Sequence, residues 1–331
     1  MCRTVLKFLT ALLTLSVPLL RPLVCDAAGD EPPRFELPGP QAGSSMVFVA
    51  YGDTRFSRRE DVANPFARRA LVEKIAHENP AAVFIGGDLV YRGSDPEDYD
   101  TYKSETAEWS SQKLAVFPAL GNHEFQGCAN DEPCLDNWWN TFSALRPYRW
   151  YSVTIGTTLL ALILDSDSAL KPGSAQRAWF ERQITTADPR IKFILILLHY
   201  PPVRDPFYPR ARDEREVARY LARKARSLPA QVVVVGSHVH NYERYYRDGV
   251  MYFVSGGGGA KPHPAARMFG ELSKLKTAVN YHYLRFTLQD DRLTGTMVRL
   301  DATEHSANPW TEPDRFEIKA KSWPWATASG R

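Results

Sequence analysis

Five short apolar runs constrain this 331-residue chain most: 46–50 (Met-Val-Phe-Val-Ala), 81–85 (Ala-Ala-Val-Phe-Ile), 114–120 (Leu-Ala-Val-Phe-Pro-Ala-Leu), 193–198 (Phe-Ile-Leu-Ile-Leu-Leu) and 231–235 (Gln-Val-Val-Val-Val). Each runs out into a turn that carries Asp, Asn or His. Runs that are continuously apolar, rather than alternating, predict strands covered on both faces. Helical stretches separate the first three, at 65–77 and 96–112. In the former, Phe66, Ala70, Leu71 and Ile75 supply an apolar stripe. Strand, helix, strand, helix, strand predicts a parallel sheet covered by helices, with chemistry beyond the carboxyl ends of its strands.

Further along, residues 126–148 read as an irregular insertion holding Cys128, Cys134, Trp138 and Trp139. Strands are predicted at 150–155, 159–164 and 251–254, a helix at 175–185, and a hairpin over 281–300 turning at Asp290-Asp291. An Arg-rich amphipathic helix is predicted over 213–228, with Val217, Leu221, Ala225 and Leu228 on its buried side. Its arginines form either a solvated face or a rim that attracts anionic substrates. The run Ser255-Gly256-Gly257-Gly258-Gly259 lacks the Lys-Ser/Thr of a P-loop. It reads as a tight connection near the site, where bulk would collide.

Both ends of the chain read differently from the middle. Arg3 and Lys7, an apolar stretch over 8–20, and small residues around Cys25-Asp26-Ala27 predict a signal peptide over 1–27. An N-terminal membrane anchor and a lipid-modified Cys25 are the competing readings; the apolar run is short of the ~20 residues a span needs. Cleavage implies a secreted or periplasmic protein with no transmembrane segment in the mature chain. Losing Arg3, Lys7, Arg21 and Asp26 takes the formal charge from +3 to +1, which gives no support for a nucleic-acid-binding platform. Cys128 and Cys134 then remain. In an oxidising compartment they form a local disulfide, or they are two unrelated thiols; a zinc site has no further cysteine to complete it. Residues 28–45, rich in Pro and Gly, read as a linker or surface strap, 46–305 as the catalytic domain, and 306–331 as a Trp-containing tail.

At the strand ends stand Asp53, Asp88, Tyr91, Asn122, His123, His199, His238 and His240. Hard oxygens and imidazoles gathered at one edge suit a pair of metal ions, with carboxylates to bridge and an open position for water.

In this order, Gly52-Asp53, Gly87-Asp88-x-x-Tyr91, Gly121-Asn122-His123-Glu124, a strand ending in His199, and His238-x-His240-Asn241-Tyr242-Glu243-Arg244, the sequence resembles the calcineurin-like metallophosphoesterases, and among them the purple acid phosphatases. The resemblance covers residues 47–244 in ordered pieces. It implies an α/β fold, a four-layer αββα sandwich with mixed sheets. It implies Asp53, Tyr91 and His240 at a first metal, Asn122, His199 and His238 at a second, and Asp88 between them. In that family the first site holds ferric iron and the second iron, zinc or manganese; a phenolate is a hard anionic donor suited to Fe(III), and a packed aromatic is the other role open to Tyr91.

The implied activity is hydrolysis of small-molecule phosphate monoesters by a metal-bound hydroxide. His123 would give a proton to the leaving group, and Glu124 would orient its neighbours. Phosphodiester hydrolysis of nucleotides or lipid head groups, and a non-catalytic binding role on the same fold, are the alternatives. The sequence departs from the family pattern at Arg55, where purple acid phosphatases usually have Gly. Arg55 either binds substrate phosphate or pairs with a carboxylate. Ser237 stands where Gly usually precedes the histidine, and no histidine lies between His199 and His238. The length implies a short form without the extra β-domain of the large plant-type enzymes.

Overall fold

The computed structural model describes residues 31–128, 131–205, 208, 212–263, 281–301 and 309–322, with side chains left undescribed at 131–133 and 212. The predicted signal peptide, Trp323 and Trp325 lie outside them. The strands, in chain order, are β1 (Arg34–Leu37), β2 (Met46–Tyr51), β3 (Ala82–Ile85), β4 (Ala115–Pro118), β5 (Tyr151–Ile155), β6 (Leu159–Ile163), β7 (Phe193–Leu197), β8 (Gln231–Gly236), β9 (Tyr242–Arg247), β10 (Val250–Ser255), β11 (Tyr281–Gln289), β12 (Arg292–Leu300) and β13 (Trp310–Lys319). The α-helices are α1 (Pro65–His77), α2 (Pro96–Glu105), α3 (Ala107–Ser111), α4 (Asp131–Thr141), α5 (Ala175–Thr185) and α6 (Arg212–Lys224).

The strands form two mixed sheets, ordered β1-β5-β6-β7-β8-β10-β9 and β13-β12-β11-β2-β3-β4. Pairing is parallel across β2-β3-β4 and β6-β7-β8-β10. A period of two divides the seven-stranded sheet between two cores. Leu160, Leu162, Ile194, Ile196, Val232 and Val234 pack with Trp179 and Phe180 of α5 and Val217 and Leu221 of α6. Their alternates Leu159, Ala161, Ile163, Leu195, Leu197, Val233 and Val235 join the second core, shared with Phe48, Phe84 and Phe286 of the other sheet and Leu71 and Ile75 of α1. Successive side chains on a strand point to opposite faces, so runs that are apolar throughout are what a sheet enclosed on both sides requires. The result is the expected four-layer αββα sandwich. Val217, Leu221, Ala225 and Leu228 are all buried, but the expected helix over 213–228 ends at Lys224: Ala225 begins a separate short 3-10 turn and Leu228 is extended.

Several expectations need correction. Residues 34–37, in the expected linker, are β1, paired in parallel with β5. The expected tail holds β13, paired with β12. The single helix over 96–112 is two helices, broken at Thr106, whose Oγ1 donates to the Tyr102 carbonyl. Phe66 faces outward, 64% exposed, and Ala67 takes its place in the α1 stripe. The irregular insertion contains α4, whose Trp138 is fully buried, and Cys128 and Cys134 form a disulfide with Cα atoms 5.7 Å apart. Helix starts follow local chemistry: Asn64 and Asp95 cap α1 and α2 by accepting the Ala67 and Glu97 amides, each before a proline at the first helical position. Among the described residues no helix is long and apolar enough to cross a membrane.

Candidate metal centre

The carboxyl ends of β2, β3 and β4 in one sheet meet those of β7 and β8 in the other. Backbone bonds sew the ends together: Gly52 N–H donates to Ser255 O (2.9 Å), Asp53 N–H to Gly87 O (3.1 Å) and Arg55 N–H to Asp88 O (2.9 Å). Asp53, Arg55, Asp88 and His238 all sit at positive φ, between 46° and 65°. Each such residue costs on the order of 1 kcal/mol or more, and persists where the surroundings over-determine it. Close approach explains the glycines around this seam. A Cβ on Gly52 or Gly86 would lie 2.2 or 2.3 Å from Ser237 Oγ. Ser237, the departure from the family turn, therefore fills the space those two glycines leave. The glycine run after β10 behaves as expected: a Cβ on Gly256 would come within 2.4 Å of Asp53 Oδ2.

One donor atom each from Asp53, Asp88 and His240 lies within 4.8 Å of the others, and all three residues are buried. Neither Asp53 oxygen has a hydrogen-bond partner, nor does His240 Nε2, 3.6 Å from Asp53 Oδ1. His240 Nδ1 is 2.8 Å from the Lys261 carbonyl. The Nδ1–H donates there and leaves the Nε2 lone pair facing the carboxylate. His199 repeats the device. Its Nδ1 is 2.9 Å from Gly86 O, while Nε2 faces Asn122 Oδ1 at 3.1 Å and Asp88 Oδ1 at 3.2 Å. A neutral imidazole has one N–H, so one side of His199 is left acceptor against acceptor. Acceptors converging without a proton between them are a cation's donor set.

The electrostatics agree. Burial first, then the Asp88 charge, raises the Asp53 carboxyl well above its usual range; a cation is the counter-charge that would bring it down. Burial, followed by the Arg55 charge, lowers His240 to about 2, and burial, followed by His199, lowers His238 to about 3. Both rings are held neutral, the state in which imidazole binds metal.

The remaining residues take separate places. His238 is half-buried, its ring 5.1 Å from that of His199 and 4.4 Å from that of Tyr200. Tyr91 lies against His123, ring centroids 5.2 Å apart, and beneath the Arg59 guanidinium. His123 Nδ1 is 2.5 Å from the Tyr91 carbonyl, which leaves Nε2 toward Asp88, 3.7 Å from Oδ2. Arg55 Nη2 is 3.3 Å from Asp88 Oδ2, so the ion-pair reading of Arg55 holds in this structure.

Glu124 ties two loops together: Oε2 accepts from Gly121 N–H (2.7 Å) and Asp88 N–H (3.0 Å), and Oε1 from Val90 N–H (3.2 Å). Burial, then Asp88, pushes its carboxyl up to about 8 against those three bonds. Sequence reasoning missed Lys261 and His263, which support His240. The signal available was a histidine a few residues past the glycine run.

The profile of the calcineurin-like phosphoesterase family matches residues 46–242, more than half of the chain. The chain belongs to that family. Solved structures share the fold. A purple acid phosphatase from yellow lupin (Lupinus luteus) seeds superposes at a TM-score of 0.66 with 19% identity, over 85% of this chain and 55% of that one. The phosphoesterase described here thus spans little more than half the length of that relative. A dimetal phosphatase from Danio rerio gives 0.59 and 15%, over 83% and 99%. GAP50, the anchor in the inner membrane complex of Plasmodium, gives 0.54 and 14%, over 84% and 90%. No curated protein matches the sequence.

Proposed function

We propose that this chain hydrolyses phosphate monoesters at a dinuclear centre. The observation that carries the reading is the buried meeting of Asp53, Asp88 and His240 around unpartnered donor atoms. Asp53, His240 and Tyr91 would hold a first cation and Asn122, His199 and His238 a second, with Asp88 available to both. Iron(III) fits the first set, through the phenolate, and iron, zinc or manganese the second. Bound there, the cations supply positive charge against the phosphate and acidify a water for attack on phosphorus.

The chain's own groups do the rest. His123, with Nδ1 tied to the Tyr91 carbonyl, presents Nε2 to the centre; burial lowers its pKa while the Asp88 charge opposes that, so it gives a proton to the leaving oxygen from the fraction of rings protonated at acid pH. Arg55, 17% exposed at its side chain, exchanges its single contact with Asp88 for substrate phosphate, to which its planar fork offers two donors. Secretion after cleavage of residues 1–27 belongs to the same reading, and the Cys128–Cys134 disulfide suits an oxidising compartment.

Initial rates on p-nitrophenyl phosphate and bis-p-nitrophenyl phosphate test the activity; a strong preference for the diester would replace the monoesterase assignment with a phosphodiesterase. Metal analysis joined to a visible spectrum tests the ligands. A ferric-tyrosinate band in the wild type that vanishes in Tyr91→Phe supports the iron assignment, and its absence from a fully metallated wild type removes it. Asn122→Ala should lose metal, whereas His123→Ala should lose turnover with metal retained.

A further inference from the structure

The turn after the glycine run grips one histidine at four points. Lys261 accepts the His240 Nδ1–H at 2.8 Å. His263 backbone N–H donates to the His240 carbonyl at 2.9 Å, and His263 Nδ1 accepts the His240 backbone N–H at 3.4 Å. The His263 ring lies on the His240 ring, centroids 4.0 Å apart and planes 20° from parallel. The Tyr208 ring also stands near-parallel to that of His263, centroids 5.8 Å apart and planes 20° from parallel.

The Nδ1 bond to Lys261 fixes which nitrogen of His240 faces Asp53. It leaves the ring free to tilt about the axis of that bond. A near-parallel ring at 4.0 Å closes one side of that tilt. The same segment also holds the Asp53 backbone: Ala260 N–H donates to the Asp53 carbonyl at 2.9 Å. One short stretch therefore contacts both the Asp53 backbone and His240.

We propose that His263 is a positioning residue for the first metal site, holding the His240 ring at the tilt that aims Nε2 toward Asp53. The proposal rests on the reading of His240 as a ligand. Loss of a group that orients a ligand costs about 10–100-fold in metal affinity.

The test is zinc binding to wild type, His263→Ala and His263→Phe, by calorimetry on apo-protein and by metal content after desalting, with folding checked by circular dichroism. Wild type should take two zinc ions per chain. His263→Ala should keep one and bind the other about 10–100-fold more weakly. His263→Phe, which keeps a stacking ring without the nitrogen, should restore most of that affinity; a general loss of fold would not be rescued in this way. Two sites of unchanged affinity in folded His263→Ala would overturn the proposal, as would a His263→Phe protein that folds but binds no better than the alanine variant. Wild type that takes up no zinc, iron or manganese would instead remove the underlying reading of the centre.

Discussion

Removing the Glu124 carboxylate should unfasten the centre from within. Its two oxygens accept three backbone N–H groups, from Gly121, Asp88 and Val90, at 2.7–3.2 Å, in a fully buried position. Glu124→Ala strands all three donors. A buried donor without a partner costs about 1–3 kcal/mol, so the uncorrected loss is roughly 3–9 kcal/mol. Two effects reduce it: water can enter the space left behind, and the repulsion between Glu124 and Asp88 disappears. We expect about 3–5 kcal/mol. Glu124→Gln keeps one oxygen for the Gly121 and Asp88 amides and turns an NH2 group on Val90, one donor against another, for about 1–3 kcal/mol. Urea unfolding of the three proteins in chelator measures the order: wild type, then Gln, then Ala. Zinc titration should show weaker binding in the alanine variant, where the Asp88 amide is released, and near-wild-type binding in the glutamine variant, which keeps it. An alanine variant within 0.5 kcal/mol of wild type, about the scatter of ordinary surface substitutions, would refute the reasoning.

Three further outcomes follow from the structure. Asp314 in β13 receives Tyr242 Oη at 2.7 Å and Arg244 Nε at 2.8 Å, so Asp314→Ala should cost about 3 kcal/mol in urea unfolding, against less than 1 for the exposed Asp291→Ala. Gly256→Ala drives a methyl to 2.4 Å from Asp53 Oδ2; metal content after reconstitution should fall to one ion or fewer per chain, and retention of two would show that the loop gives way. Asp167 is raised from 3.8 to about 7 by desolvation among its neighbours, then by Asp165 and Asp88, although the residue itself is exposed. The folded state therefore binds the proton more tightly than the unfolded one, and this carboxyl's contribution to stability falls as pH rises from about 4 to about 7. Because Asp167 stands at the surface and solvent screens its neighbours, Asp167→Asn should gain less than about 1 kcal/mol in unfolding free energy relative to wild type between pH 4.5 and pH 8; a change of the opposite sign would contradict the assignment.

Edge strands mark where the sequence was hard to read. The central strands β2, β3, β7 and β8 are enclosed on both faces, and that demand is written locally as unbroken apolar runs. The polar strands β1 (Arg-Phe-Glu-Leu), β9 (Tyr-Glu-Arg-Tyr-Tyr-Arg) and β13 (Trp-Thr-Glu-Pro-Asp-Arg-Phe-Glu-Ile-Lys) lie at sheet edges, where charge and proline discourage pairing with other chains. β1 pairs with β5, more than 100 residues away, and nothing local announces it, whereas β9 and β13 pair with their chain neighbours β10 and β12 and were hidden by their polar composition alone. The exposed Phe66 has the opposite cause: helical periodicity places a stripe only to within a residue, and Ala67 points at the core.

By itself the sequence determined the family, the layered architecture and the strand ends that bear the donors, because each is set by a pattern within a few residues. Tertiary structure decided which atoms meet. It made Asp88 the residue faced by Arg55, His123, His199 and Asn122's loop together, turned the Nε2 atoms of His199 and His240 inward by offering Gly86 and Lys261 carbonyls to their Nδ1 atoms, and brought residues 256–263 against Asp53 and His240. Those contacts join segments from about 20 to more than 200 residues apart, and their geometry exists only once two sheets have packed.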